Sequence, residues 1–424
     1  MNSMSAKRRK WIVNQNDLYA FAFVMYLCVD FARVIFQKAF GLVGLSSFAS
    51  VFCYLCICLP LVIACLCSRK IIAADFWALF TFLVLFFLAT ILIHPDYEYW
   101  YTRYYYGVWD YVFRPDNGLY IYLFIRLLND PRRILKYLRI SAYIMIIYFG
   151  YRLIPFLRNG YWTLTYADGT IHQVAYNLEY GYDMLLYVLG LLYCALTEKR
   201  VTDWAMTVIG VVFIMLGGSR GPFLCFTVFL ALYFGLSIAK SRKRALLILL
   251  TIVVGVTLFL TYQYLLAAIS VIMNLVGFTP RILKTILMGT VSDDNGRIEF
   301  WTRTLEMIRD NPFGYGAMGT RHVLYVLHTA AYPHNFFLEI MADLGVFIGG
   351  GLSIFFIWKT VSILRMKDNE EWKGLFLVFL GMFSQLMLSS TFYHRTGFWG
   401  ALAVGVCIYR ERSRTRKELL RASA

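Results

Sequence analysis

The chain has 424 residues, of which 60% are hydrophobic, 18% aromatic and only 16% charged, with a mean hydropathy of +0.61. No soluble domain of this length needs that much apolar surface, so the composition excludes a soluble protein and indicates a polytopic membrane chain. The formal charge of +16 does not point to nucleic acid, because the basic residues form short clusters between apolar runs rather than one polar face, the pattern that orients a chain in a bilayer.

Lys7 to Lys10 precede the first apolar stretch, and no small-residue cleavage site follows, so a retained first helix is expected rather than a signal peptide. Crossing the hydrocarbon takes about 20 apolar residues, fewer where neighbouring helices shield a break. Twelve candidates follow in order: Leu18–Phe36, Leu42–Cys67, Ile71–Ile93, Leu119–Leu128, Ile140–Leu157, Gly181–Leu196, Val201–Leu216, Phe223–Ala239, Ala245–Tyr264, Phe336–Trp358, Leu375–Leu388 and Phe398–Tyr409. Within the first, Asp30 and Arg33 lie one turn apart and are expected to pair. Cys53, Cys56, Cys58, Cys65 and Cys67 fall in the second, where each reads as a small buried hydrophobe. No His or carboxylate lies nearby to complete a metal site.

Basic clusters recur at Arg69 and Lys70, Arg132 to Arg139, Lys199 and Arg200, Arg242 to Arg244, Lys359 to Lys373 and from Arg410 onward. They alternate with the spans as the positive-inside rule requires, so both termini are expected in the cytoplasm. Three intervening loops then face outward: His94 to Asn117, Arg158 to Tyr180, and Gln263 to Asn335. The third, with a helical pattern from Arg297 to Ile308, is too long and structured for a mere connector. The expected architecture is an all-α integral membrane protein of about twelve transmembrane helices. Residues 1–424 form one polytopic domain, with a large extracytoplasmic loop, 264–334, between helices 9 and 10. The first outer loop carries the aromatic run Tyr97, Tyr99, Trp100, Tyr101, Tyr104, Tyr105, Tyr106 and Trp109, either an interfacial belt or a platform for sugar rings.

The seventh span ends outward in Gly217-Gly218-Ser219-Arg220-Gly221-Pro222. A snorkelling arginine is one reading, but positive charge is disfavoured on this side, and an anionic partner explains Arg220 more simply. In the large loop, Asp294-Asn295-Gly296-Arg297 opens a helix with Glu299 and Trp301 in its first turns. The charge of Arg297 opposes the helix dipole there, so capping does not account for it. Pro333-His334-Asn335-Phe336-Phe337-Leu338-Glu339 enters the tenth span, followed by Asp343-Leu344-Gly345. His334 therefore sits where loop meets membrane. Glu299 and Glu339 read as polar anchors near helix ends.

Ser219-Arg220-Gly221, Gly296-Arg297 with Trp301, Pro312 with Gly314 and Gly316, and His334-Asn335 with Leu338-Glu339 and Gly345 together resemble the O-antigen ligase and polymerase superfamily, over Ser219 to Gly350. The resemblance implies a GT-C-like, inverting membrane glycosyltransferase of the bacterial inner membrane. It would use neither metal nor other cofactor, and its active site would be extracytoplasmic. Its partners would be an undecaprenyl-diphosphate-linked oligosaccharide and membrane lipid, with a chain-length regulator and a flippase in the same pathway, and no nucleic acid. Carried over residue by residue, Arg220 and Arg297 would hold the diphosphate, His334 would act at the acceptor hydroxyl, and Trp301 and Asn335 would line the substrate site.

Some polymerases of this kind carry Arg, ten residues, then Gly in two outer loops, and Arg158 to Gly169 and Arg303 to Gly314 match that spacing. This adds Arg158 and Arg303 as substrate-binding candidates and favours a polymerase that joins one lipid-linked repeat unit to another. A ligase transferring to lipid A core is the alternative. A secondary transporter or flippase is the remaining one, but it calls for ionisable groups at midplane and symmetry between the halves, whereas the notable charges here lie at the outer edge.

Overall fold

The computed structural model describes residues 14–68, 73–103, 107–165, 171–174, 177–217, 220–243, 245–246, 271, 296–325 and 332–422. The expected ninth span, the first part of the loop after it, Tyr104 to Tyr106, Gly169, Gly218, Ser219 and the Lys7 to Lys10 cluster lie outside these residues.

The described chain is mostly helical. In order come α1 (Gln15–Leu27), α2 (Val29–Gly41), α3 (Ala49–Ser68), α4 (Ala74–Ile93), α5 (Glu98–Thr102), α6 (Tyr120–Leu128), α7 (Pro131–Asn159), α8 (Leu178–Glu198), α9 (Val201–Leu216), α10 (Arg220–Lys240), α11 (Arg297–Asp310), α12 (Gly319–Leu324), α13 (Phe336–Arg365), α14 (Glu370–Phe383) and α15 (Thr396–Ala422). The all-α expectation misses one small element. Strands β1 (Trp162–Thr165) and β2 (Ile171–Val174) pair antiparallel between α7 and α8. Trp162 anchors it by stacking on Phe156 at 4.8 Å.

Among the described residues six helices are long and apolar enough to cross a membrane, namely α3, α4, α7, α8, α10 and α13, or seven if the bent pair α1 and α2 forms one span. The count of twelve is therefore not reproduced there. Helix α6 has 9 residues, about 13 Å against a hydrocarbon core of about 30 Å, and all but two of its side chains are buried. Helix α9 has 16 residues and α14 has 14. The apolar stretch of α15 stops where Arg410 begins its basic half. Helices α6 and α14 pack inside the bundle, α14 along α15 and α15 along α6, whereas α9 leaves most of one apolar face exposed.

The first expected span breaks at Cys28 and turns by 81°. No proline or glycine marks the break. Immediately after it, Arg33 bonds Asp30 at 2.9 Å and Asp116 at 2.8 Å, so the chain turns where a charged pair has to find polar company outside hydrocarbon. The pairing expected for Asp30 and Arg33 is present, joined by Asp116 from the segment before α6. Cys53 is buried and, like Cys56 and Cys58, is a free thiol.

Ion pairs gather the helix ends next to the basic loops into one face. Arg132 at the start of α7 meets Glu371 of α14 at 2.6 Å, Lys240 at the end of α10 meets Glu370 at 2.6 Å, and Asp75 of α4 holds Arg126 and Arg410 at 2.7 and 3.3 Å. The starts of α8, α10, α11 and α13 are linked to one another at the other end of the bundle.

Candidate functional site

Helices α8 and α10 interlock at their first turns through glycines that leave room for the partner. Asn177 caps α8 by accepting from the Tyr180 amide at 3.1 Å, and its own backbone N–H donates to the Gly217 carbonyl at 3.3 Å. A β-carbon at Gly181 would press on Pro222, and one at Gly221 would collide with the Tyr182 hydroxyl. This close approach of backbone to ring is why glycine flanks Arg220. It fixes that arginine as the first residue of α10, half-buried.

Arg297 is likewise the first residue of its helix, after Gly296 in the left-handed region. One turn on, Phe300 is buried and its ring lies 5.4 Å from that of His334. Trp301, half-buried, lies one turn from Arg297, and its indole Nε1 is shielded from solvent with no hydrogen-bond partner among the described residues. His334 has a positive φ of 54°, an uncommon conformation for a residue with a side chain. Its ring packs on Tyr332 at 4.4 Å, and Nδ1 lies 3.0 Å from the Leu388 carbonyl. A carbonyl only accepts, so Nδ1 carries the hydrogen and Nε2 is the basic nitrogen of the neutral ring. Asn335 is the N-cap of α13: its Oδ1 accepts from the amides of Phe337 and Leu338 at 3.0 and 3.3 Å.

Tyr182 links the two arginine-bearing helices. Its hydroxyl rests on Gly221, next to Arg220, and lies within electrostatic reach of Arg297, Arg395 and Tyr332. The fold thus brings Arg220, Arg297, Trp301 and His334 to one end of the bundle, around Tyr182 and Tyr332. It does not bring in Arg158 or Arg303. Arg158 is exposed in the last turn of α7, and Arg303 is exposed on α11, paired with Glu306 at 2.9 Å.

Sequence reading missed several residues of this region. Arg321 of α12 is only 4% exposed, with its guanidinium 5.5 Å from the Tyr111 ring and 5.8 Å from Tyr332. Glu339 and Asp343, one turn apart on α13, are both buried. Asp343 accepts from the Thr320 hydroxyl at 2.9 Å and the Tyr393 hydroxyl at 3.0 Å. The segment from 388 to 395 adds Arg395, which donates to Asp183 at 2.8 Å and Ser390 at 3.0 Å. It also adds His394, whose ring lies near Arg395, Arg114 and Arg321. Enclosure and that positive surrounding hold the His394 pKa well below the ordinary value. Arg395 was detectable by the reasoning applied to Arg220, since it too is an arginine at the outer end of an apolar span.

The described part of the aromatic run between α4 and α6 divides in two. Tyr97 and Trp100 are buried, while Tyr99 and Trp109 are exposed. Both faces of Tyr97 are occupied, by His94 at 4.7 Å and His322 at 4.4 Å, so this ring has no face to offer a sugar.

A turn of the large loop is built into the membrane helix behind His334. Helix α13 is interrupted at Gly345, whose φ of 82° and ψ of 159° are not helical. The Pro312 carbonyl accepts from the Val346 amide at 2.8 Å, and the amides of Tyr315 and Gly316 donate to the Ala342 and Asp343 carbonyls at 2.9 Å each. Backbone groups freed by the break are thereby satisfied within protein, as the low dielectric of a membrane demands. Gly314 and Gly345 pass so close that a β-carbon on either would enter the other's backbone segment. The Pro312 to Gly316 turn and the break at Gly345 form one hydrogen-bonded unit.

No curated protein matches the chain, and no solved structure does. Residues 205–356, from within α9 to within α13 and containing Arg220, Arg297 and His334, match the family model of O-antigen ligase.

Proposed function

We propose that the chain is an inverting, metal-independent GT-C-like glycosyltransferase of the bacterial inner membrane, a polymerase of lipid-linked repeat units. It would move a glycan from undecaprenyl diphosphate to a second lipid-linked unit on the extracytoplasmic side. What supports the reading is that Arg220 and Arg297 each open a helix, that Tyr182 lies against the residue after Arg220 and within electrostatic reach of Arg297, and that His334 packs on Phe300 one turn after Arg297. Four helices begin at this end, and the partial positive charge of their free N–H groups adds to the two guanidinium groups. A diphosphate gains negative charge as the glycosidic bond breaks. Guanidinium groups bind it bidentately and stabilise that charge where another enzyme uses a divalent cation.

His334 is suited to take the proton of the attacking hydroxyl, because its Nδ1 bond to the Leu388 carbonyl leaves the basic lone pair on Nε2. A single displacement needs no carboxylate nucleophile. Glu339 and Asp343 are engaged by Thr391, Thr320 and Tyr393, which fits a supporting part for both.

The description of the matched family favours ligation to lipid A core as the second reading. The two share a donor and differ in acceptor. Purified protein given lipid-linked repeat units, with and without lipid A core, separates them: a ladder without the core acceptor supports polymerase, strict dependence on it supports ligase, and no transfer in either case refutes both.

A further inference from the structure

The Tyr182 side chain is 2% exposed, yet its hydroxyl oxygen, cut off from solvent, has no hydrogen-bond partner among the described residues. Buried tyrosines ordinarily find a partner, and leaving one without costs about 1–3 kcal/mol. The neighbouring turn shows the ordinary case: Tyr180, equally buried, donates to the Phe149 carbonyl at 3.0 Å.

The position of the Tyr182 hydroxyl is imposed rather than accidental. It is pressed against Gly221, the residue after Arg220, and Arg297 and Arg395 act on it electrostatically. Arg395 is held by Asp183, the next residue of α8, so its charge is already answered by a carboxylate. What bears on the hydroxyl beyond that pair is therefore the charge of Arg297, with the Tyr332 ring and the backbone of Gly221 next to Arg220. A neutral O–H donor without a protein acceptor, set between cations, suits an oxygen that brings its own negative charge.

Resting on the glycosyl-transfer reading above, we propose that the Tyr182 hydroxyl donates a hydrogen bond to the diphosphate of the lipid-linked donor, a third contact between those of Arg220 and Arg297. No proton is transferred. The hydrogen bond strengthens as charge builds on the departing diphosphate oxygen, and it helps to distinguish a diphosphate carrier from a monophosphate. Tyr182 thereby becomes a substrate-contacting residue of α8, a helix that lies outside the matched 205–356 segment.

The test is Tyr182→Phe in the full-length protein in nanodiscs, which keeps the ring and its packing and removes only the O–H, with Tyr180→Phe as the companion. Tyr182→Phe is expected to lower turnover of lipid-linked repeat units roughly 10- to 100-fold, as loss of one donor from a charge-stabilising site does. It should also weaken displacement by undecaprenyl diphosphate about tenfold while leaving that by undecaprenyl monophosphate within about twofold. Its melting temperature should not fall and should rise slightly, because the unpaired buried hydroxyl is gone. Tyr180→Phe should do the reverse, lowering the melting temperature with turnover near wild type. Wild-type turnover and diphosphate affinity in Tyr182→Phe, while Arg220→Ala and Arg297→Ala are inactive, would overturn this assignment and leave the transfer reading standing. Full turnover in the two arginine variants would overturn the transfer reading itself, and this assignment with it.

Discussion

Arg220, Arg297 and His334 are separated by long stretches of sequence and meet at one end of the bundle, so each can be tested alone. Replacement by Ala at any one is expected to abolish long-chain glycan in cells while protein level and short lipid-linked units persist, as read on a glycan gel and an immunoblot. Arg220→Lys should lose most of the activity as well, because an ammonium cannot form the bidentate contact a guanidinium offers. A Lys variant with full chain length would mean that charge alone suffices. His394 gives a prediction of a different kind. Its pKa is depressed by enclosure and by Arg395, Arg114 and Arg321, so the unfolded chain binds a proton near pH 6.5 and the folded chain does not. Stability is then fully present above that pH and falls below it, by at most about 1.4 kcal/mol per pH unit. Melting curves from pH 8 to pH 5 should show the decline, and His394→Asn should flatten it.

Among the elements, α13 carries the sharpest constraint. Gly345→Ala would put a side chain at a φ of 82° and drive its β-carbon to 2.6 Å from the Phe313 backbone. A loss of about 2 kcal/mol or more is expected from the strained conformation alone, measured as a lower melting temperature in detergent. Gly350→Ala, with open space around it, should be near neutral. Periodicity and apolar length announced α3, α4, α7, α8, α10 and α13 well before any coordinates, because a helix in lipid has to satisfy its own backbone. The 81° turn at Cys28 was not legible. It follows from a tertiary pairing of Arg33 with Asp116, and no local residue encodes that. The short α6 misled for a related reason. Its apolar residues face other helices rather than lipid, and a run of apolar residues reads the same in either setting.

The whole molecule separates two kinds of charge. Lys and Arg on one face pair with Glu370, Glu371, Glu198 and Asp75, while the arginines at the opposite end gather around tyrosines and two histidines, with Arg395 also paired to Asp183. The positive-inside rule made the first group readable. The second was readable only in part, since Arg220 and Arg297 carry local motifs, whereas Arg321 and Arg395 acquire their meaning from Tyr111, Tyr332 and Asp183, far away in the chain. Membrane orientation is testable at this scale. In a cysteine-free background, Thr302→Cys should react with an impermeant maleimide added to whole cells whose outer membrane is permeabilised, and Ser241→Cys only after lysis. Labelling of Thr302→Cys solely after lysis would place α11 on the cytosolic side, where no exported glycan could reach Arg297.

Because the Pro312 to Gly316 turn completes the interrupted helix at Gly345, neither piece is finished without the other. Chimeras meant to borrow another protein's acceptor preference should therefore swap everything from α11 through Gly349 as one cassette. A junction placed at the apparent loop boundary near residue 335 would pair a foreign turn with a native gap, and the hybrid should fail in biogenesis before its specificity could be assayed.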